Sequence, residues 1–446
     1  MLPSSFNDSN VCIIGLGYVG LTLAVAMADV GIKVHGVERD PSIVDCVKSG
    51  RAHFHEAGLD IKLAQQVNDG RLSVSNTMPT NSRANVYIVT VGTPVGDDKR
   101  VKFEALNTVI DSITHVIKDG DMVILRSTVK VGTTANIVAP VLDKVGVRYD
   151  LAFCPERTLE GRALQELRTL PQIVGGRTDS ATHRASQLFG FVTPTTVKVR
   201  DLETAELIKL VNNTSRDLSF AFSNEIAEVS DALGLTAKDV IAAANLGYPR
   251  SNLPLPGPVG GPCLEKDPYI LAESVEPFGM TPLLTLSGRK INESLPDRTI
   301  AVISDCYTSV SATPPKRIAI LGVAFKGHPA TSDLRGTLAV SVIRSLKDKF
   351  PTSEIVGWDA AVDADGVASL GVTPCATLEE AFTGSDIVVI QNNHEQFETM
   401  TIEKLSGLMN APSIIYDYWN QRDATSTKLS SKVTYFGLGT KFAANS

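Results

Sequence analysis

The chain has 446 residues, 43% hydrophobic and 20% charged, and its 42 basic and 49 acidic side chains leave a formal charge of −7 at pH 7. The length suggests roughly three domains, and the apolar content is enough for sizeable cores, which excludes disordered, collagen-like and coiled-coil chains. The acidic balance argues against a broad nucleic-acid-binding surface, and no apolar run is long enough to span a bilayer.

The first ten residues, MLPSSFNDSN, lack the charged and apolar regions of a secretion signal, so a cytoplasmic protein is expected. Val11–Ile14 is a short apolar run ending in glycines. A helical pattern from Leu21 to Val30, closed by Gly31, separates it from a second apolar run, Lys33–Val37. This β-turn-α-β succession within about 30 residues is the unit of a doubly wound sheet. Gly15-Leu-Gly17-Tyr18-Val19-Gly20 fits G-x-G-x-x-G in the strand-to-helix setting the motif requires. The first glycine would make the tight turn, the second admit a pyrophosphate, and the third allow close helix–strand packing. Glu38, at the end of the second strand, would accept hydrogen bonds from a ribose and repel a 2′-phosphate, favouring NAD over NADP; Arg39 beside it weakens that preference. An ordinary glycine-rich turn is the alternative reading.

Further strands are expected at Val86–Val91, Met122–Leu125 and Asp150–Phe153, in a first domain running to residue 199. Ligands of such folds sit beyond the carboxyl ends of the strands. Thr93, in Val-Gly-Thr-Pro, and Ser127 and Thr128, in Ser-Thr-Val-Lys-Val-Gly-Thr, are therefore candidates for the nicotinamide half of the site, with plain turns an equal alternative. Glu156, in Phe-Cys-Pro-Glu-Arg157, is an acid or base candidate, and Cys154 reads as packing.

Asp201–Leu235 reads as one long helix, capped by Asp201 and ended near Gly234. At 1.5 Å per residue it would reach about 45 Å or more, enough to join two domains and offer a dimer surface. Glu206, Lys209, Asn213, Arg216, Asp217 and Asn224 recur along it at mostly three- and four-residue steps. Such a row is ordinarily a solvated face. Against that, asparagine is a mediocre helix former, and Lys209 and Asn213, one turn apart, are placed to donate to a single oxyanion. The Pro/Gly-rich stretch 247–262 is an irregular loop, a helical region follows to about 312, and 308–316 reads as a linker. A second βαβ series begins with Arg317–Leu321 and continues through Glu354–Trp358 and Ile387–Ile390, with Ile414–Tyr416 as its last strand. Residues 1–199 and 313–446 thus form two α/β domains flanking a helical middle, 200–312.

The six cysteines, at 12, 46, 154, 263, 306 and 375, form no C-x-x-C pair and no Cys/His cluster with zinc spacing. No metal is expected, and the thiols read as reduced. The seven histidines form no cluster and none is assigned a role. Cys263 stands apart. It follows Pro256-Gly-Pro-Val-Gly260-Gly-Pro, it is expected to begin a helix beside Lys266, and both features would lower its pKa. Asp267, one turn on, pairs this potential thiolate nucleophile with a carboxylate. A buried, inert cysteine is the alternative.

Together these motifs resemble the nucleotide-sugar 6-dehydrogenases, the UDP-glucose and UDP-N-acetylhexosamine dehydrogenase family, over nearly the whole chain. Gly15–Gly20 is similar to the family's NAD fingerprint and Ser127–Thr133 to its S-T-V-x-x-G-T loop. Cys154–Arg157 with Gly161, and Asn213–Asp217 continuing to Asn224-Glu225, resemble the N-acetylmannosamine type. Ala205-Glu-x-x-Lys209-x-x-x-Asn213, Gly260-Gly-Pro-Cys263 with Asp267-Pro-Tyr269, and Phe325-Lys326 with Asp333-Leu-Arg335 match three further motifs. The glycine loop is one residue shorter than usual, Pro262 replaces the common His or Ser, Tyr248-Pro-Arg250 replaces His-Pro-Arg, and Gly327-His-Pro-Ala is unusual after Lys326.

The resemblance implies two Rossmann-like domains and a four-electron, NAD-dependent oxidation of the C6 alcohol of a UDP-sugar for surface polysaccharide synthesis. UDP-N-acetylmannosamine is the first choice, with UDP-N-acetylglucosamine and UDP-glucose as alternatives. It further implies that Cys263 is the nucleophile. Asp267 and Lys209 would serve the acid–base steps, Lys209 and Asn213 the oxyanions, and Glu156 and Thr128 the hydrolytic water. Arg157, Arg216, Tyr248, Arg250, Gly260, Lys326 and Arg335 join Glu156, Lys209 and Asn213 as substrate contacts. A homodimer or higher homo-oligomer is expected by fold analogy. Two other classes remain: a two-electron hydroxy-acid dehydrogenase, which needs no cysteine, and a non-catalytic nucleotide-binding protein.

Overall fold

Short unbroken apolar runs belong in the interior of parallel sheets, whose two faces are both covered. The computed structural model describes residues 3, 6–422 and 427–440 and divides the chain into two compact units, Met1–Asn213 with Tyr269–Thr281, and Thr214–Pro268 with Pro282–Ser446. Met1, Leu2, Ser4 and Ser5 of the leader segment considered above lie outside the described residues, as do 423–426 and 441–446.

The first unit holds eight strands: β1 (Asn10–Ile14), β2 (Lys33–Val37), β3 (Leu72–Ser75), β4 (Val86–Val89), β5 (Met122–Leu125), β6 (Asp150–Phe153), β7 (Gln172–Gly176) and β8 (Thr196–Lys198). They lie in the order β3-β2-β1-β4-β5-β6-β7-β8. Every pairing is parallel except β6 with β7. In β1, Ile14 faces Val37 on one side and Val89 on the other. The two-residue period of a strand splits the core: Val11, Ile13, Val86 and Ile88 pack on one face, and Cys12, Ile14, Tyr87 and Val89 on the other. The helix after β1, Tyr18–Asp29, is buried without a break from Gly20 to Ala28, so it reads as apolar all round.

The second unit carries β9 (Arg317–Leu321), β10 (Glu354–Trp358), β11 (Thr373–Pro374), β12 (Ile387–Ile390), β13 (Ser413–Asp417) and β14 (Val433–Gly437). Their order is β11-β10-β9-β12-β13-β14, all parallel. Both sheets therefore have the 3-2-1-4-5-6 core order of dinucleotide-binding folds. Ile414–Tyr416 is not the last strand, as expected above; β14 pairs with β13 at the edge. Strand β4 also stops at Val89, because the Thr90 hydroxyl turns back to the carbonyls of Ile14 and Gly15, at 3.0 and 2.6 Å.

Between the sheets in sequence lie the helices Leu202–Leu233, Ala237–Asn245, Asp267–Val275 and Leu283–Val310. Asp201 caps the first through its carboxylate and the Thr204 N–H, 2.8 Å apart, and Gly234 ends it with φ +71°. The expected linker 308–316 is shorter than read, because helix continues to Val310. Among the described residues no helix is long and apolar enough to cross a membrane.

Candidate active site

In a parallel sheet all carboxyl ends lie along one edge, and in the first unit that edge gathers the expected cofactor residues. Gly15 takes φ +94° and donates its N–H to Val37 O at 2.8 Å, continuing the parallel ladder between β1 and β2 by one bond as the chain turns toward the helix. A Cβ on Gly20 would fall on the Gly15 carbonyl oxygen, so the helix approaches the loop this closely only with glycine there. At Gly17 a Cβ would meet nothing within 4 Å: the second glycine faces open space, at the N-cap of the helix. Glu38 holds the loop from β2, its carboxylate accepting the Leu16 N–H at 2.8 Å and that of Asp40 at 3.2 Å. This glycine cradle on a helix N-terminus, with an acid at the end of β2, fits a dinucleotide. Arg39 is exposed. The Tyr18 hydroxyl donates to Glu56 and accepts the Gly161 N–H at 2.9 Å, so the fingerprint is tied to the segment after β6. Sequence reasoning did not find Glu56.

Thr93 is buried and donates to Thr128 O, while Ser127 donates to Val91 O at 2.6 Å. The loops after β4 and β5 are thereby stitched together, with Thr128 half-buried between them. The far end of the second loop is held by Glu206 of the long helix. Its carboxylate accepts the Gly132 N–H at 2.6 Å, and the Thr134 N–H and hydroxyl at 2.9 and 2.6 Å. Burial pushes this carboxyl up to about 7, against the pull of those donors, and Glu203 adds to the rise.

Glu156, after β6, is buried against Arg126, whose Nη2 lies 2.5 Å from it, and it accepts the Arg157 and Thr158 N–H groups, each at 2.7 Å. Burial alone would raise its pKa. The Arg126 charge, the backbone donor from Thr158 and the charge of Lys209 outweigh burial and hold it below the usual carboxylate value. Arg126, which the sequence reading missed, also donates to Cys154 O and Gln172 Oε1, both at 2.8 Å. Arg157 is half-buried and reaches Pro171 O and, at 3.4 Å, Asn212.

The polar row of the long helix is buried rather than solvated: Glu206, Lys209, Asn213, Asp217 and Asn224 are each at most 9% exposed, and only Arg216 is exposed. Distant partners cause this. Glu206 has the loop after β5, Asp217 has Arg289 at 2.5 Å, and Asn224 has Asn292 at 3.0 Å and both polar atoms of the Gly257 backbone.

In the second unit, Cys263 is exposed, whereas Cys12, Cys154, Cys306 and Cys375 are buried and Cys46 is half-buried. Burial pushes the thiols of Cys12, Cys154 and Cys306 each up to about 12, where they are inert. Cys263 does not begin a helix, as expected above. It lies in the turn before the helix that starts at Asp267, and its carbonyl accepts the Asp267 N–H at 3.0 Å. The turn is longer than read because the two glycines before it fold onto the turn after Arg335. Gly261 donates to Gly336 O at 2.8 Å, a Cβ on Gly260 would fall on that same oxygen, and one on Gly261 would lie 2.6 Å from the Phe325 ring. Cys263, Lys326 and Arg335 therefore stem from adjoining backbone. Arg335 is held by Asp333 at 2.5 Å, and Lys326 lies 5.3 Å from the Phe325 ring centre. Asp267 is fully buried. Tyr248 and Arg250 are exposed and pair with each other, guanidinium over ring at 4.5 Å.

A nucleotide fingerprint on one doubly wound sheet, with a second sheet of the same order after it, defines a class: dehydrogenases built from two Rossmann-like domains. Residues 9–192, 203–294 and 319–424 match, in that order, the NAD binding, central and UDP binding domains of the UDP-glucose/GDP-mannose dehydrogenase family. The chain is 32% identical to UDP-N-acetyl-D-mannosamine dehydrogenase of Methanococcus aeolicus, over 90% of this chain and 89% of that one. It is 31% identical to the enzyme of the same name from Campylobacter jejuni, over 89% and 98%. The solved UDP-D-ManNAc dehydrogenase of Pyrococcus horikoshii superposes with a TM-score of 0.87 at 28% identity, covering 96% of this chain and 99% of that one. The chain belongs to the UDP-glucose/GDP-mannose dehydrogenase family. It is an NAD-dependent nucleotide-sugar dehydrogenase, an oxidoreductase.

Proposed function

We propose that the chain oxidises the C6 alcohol of UDP-N-acetylmannosamine to the uronate in two successive two-electron steps through Cys263, as a source of surface polysaccharide precursors. The observation that carries the covalent route is the exposure of Cys263, on a loop clamped against Gly336 and Phe325, beside four buried cysteines. The names of the relatives support the sugar.

Bound NAD supplies the hydride acceptor for each oxidation. Lys209 and Asp267 serve the proton transfer as the alcohol becomes an aldehyde. The Cys263 thiolate adds to that aldehyde, forming a C–S bond and a thiohemiacetal whose oxyanion Lys209 and Asn213 stabilise. Loss of the second hydride turns the thiohemiacetal into a thioester, and water cleaves its C–S bond and returns the thiol. In balance, one alcohol, two NAD and one water give a carboxylate, two NADH and three protons. Glu156 acts here as a carboxylate, since its environment keeps it ionised, and with Thr128 it orients the attacking water. Tyr248, Arg250, Gly260, Lys326 and Arg335, with Arg157 and Arg216, contact the substrate, giving a −7 chain the local positive charge a diphosphate needs. In the same reading residues 1–199 carry NAD, 200–312 the catalytic helices and a homodimer surface, and 313–446 the UDP moiety.

A panel of UDP-sugars with NADH and uronate counted per sugar tests this. Two NADH per UDP-N-acetylmannosamine are expected, with Cys263→Ala forming no uronate. One NADH with no acid would sink the four-electron reading, a preference for UDP-N-acetylglucosamine or UDP-glucose would move the sugar, and undiminished acid from Cys263→Ala would reject the nucleophile.

A further inference from the structure

We infer that Arg289 is a positioning residue for the cysteine loop, acting through the carbonyl of Leu264; the inference rests on the reading of Cys263 as nucleophile. Arg289 is 1% exposed and Asp217 fully buried, and Arg289 Nη1 lies 2.5 Å from Asp217 Oδ1. The same Nη1 donates to Leu264 O at 3.0 Å, the carbonyl of the residue that follows Cys263. A buried ion pair is a costly way to join two helices, since apolar side chains of similar volume do so as well or better. These helices already approach closely at the neighbouring position, where a Cβ on Gly288 would lie 2.5 Å from Leu218. What the pair adds is a fixed donor aimed at the loop. Glu293, 3.6 Å from Arg289 Nε, is the other charge facing it.

The same polar layer grips the other end of the loop. Asn292 donates to Asp217 O and Oδ1 at 3.0 and 2.9 Å and accepts from Asn224 at 3.0 Å. Asn224 in turn pairs with Gly257 through both its N–H, at 2.8 Å, and its carbonyl, at 3.2 Å. Gly257 and Leu264 bracket the glycine stretch, which has almost no side chains of its own to fix it and pays a large entropic cost to be ordered. The long helix and the helix Leu283–Val310 thereby set where the Cys263 backbone sits. An error of about 1 Å in a nucleophile's position costs on the order of 100-fold in rate.

Two variants separate positioning from simple stability. Arg289→Lys keeps a cation for Asp217 but replaces the planar guanidinium by a shorter, mobile ammonium that does not hold Nη1's place between Asp217 and Leu264. The double variant Asp217→Leu/Arg289→Met replaces the buried pair by apolar groups and is expected to be at least as stable as the parent. Both should lose roughly 10- to 100-fold in kcat, with KM for the UDP-sugar nearly unchanged. Both should release aldehyde, so that NADH per sugar falls below two, and alkylate more slowly at Cys263 with iodoacetamide, after subtraction of a Cys263→Ala blank. If the double variant folds and restores parental kcat and alkylation, the pair is structural only and the inference is wrong. If it does not fold, Arg289→Lys decides, and parental alkylation with two NADH per sugar overturns the inference. If Cys263→Ala still makes uronate, the nucleophile reading has failed instead.

Discussion

Glu206 links the titration of one buried carboxyl to the loop after β5. Burial raises it to about 7, against an ordinary 4.5. An acid whose folded pKa lies above its unfolded one is favoured by folding in its protonated form. Its stabilising contribution is therefore present below pH 4.5 and is lost as pH rises through 7. The difference corresponds to about 3 kcal/mol at 1.36 kcal/mol per tenfold change in proton affinity. Glu206→Gln is neutral at every pH and removes this dependence, at the cost of setting an amide against three donors that expect an oxyanion, about 1–3 kcal/mol. Denaturant midpoints for both proteins between pH 4.5 and 8 should show the wild type losing about 3 kcal/mol relative to Glu206→Gln as the pH rises. KM for NAD should rise in the variant, because Gly132 and Thr134 lose their anchor. A stability gap that stays flat or moves the other way would show that the three donors outweigh burial, and the reasoning would be refuted.

Gly20→Ala puts a methyl on the Gly15 carbonyl and forces helix and loop apart; we expect a loss of about 1–3 kcal/mol in stability and a larger proportional loss of NAD affinity, read by fluorescence titration. Unchanged NAD affinity would reject the close-packing role of the third glycine. Arg126→Met leaves Glu156 buried without its counter-charge. It should cost about 3–5 kcal/mol in a denaturant melt and move the acidic limb of uronate formation to higher pH, because burial is then opposed only by the Thr158 donor and the Lys209 charge. A variant as stable as the parent would show that the two backbone donors alone hold the carboxylate.

The parts of the fold legible in the sequence are those where local chemistry and tertiary role coincide. The runs VCII, MVIL and IVVI are buried on both sides, and Asp201 and Gly234 end a helix by their own backbone needs. The strands that escaped are of another kind. Leu72–Ser75 is half polar, Thr196–Lys198 is three residues long and mostly exposed, and Gln172–Gly176 ends in two glycines. Val433–Gly437 has two half-buried positions before its apolar end. Each is defined by the neighbour it pairs with, and none carries that neighbour in its own pattern.

The site divides along the same line. Glycines announce themselves, since a positive φ at Gly15 and Gly261 and the clash a Cβ would make at Gly20 leave no other residue suitable. The polar row on the long helix does not, because a stripe of charges is identical in sequence whether it meets water or buried partners. What decides is a set of residues far away in the chain: Gly132 and Thr134 for Glu206, Arg289 and Asn292 for Asp217, and Gly257 for Asn224. Burying so many polar groups is unfavourable unless every partner is placed. Glu206 secures the loop beside the expected nicotinamide site, and Asp217, through Arg289, reaches the carbonyl of the residue that follows Cys263. Lys209 and Asn213 lie between them along the helix. A solvated helix face would leave those loops to their own glycines.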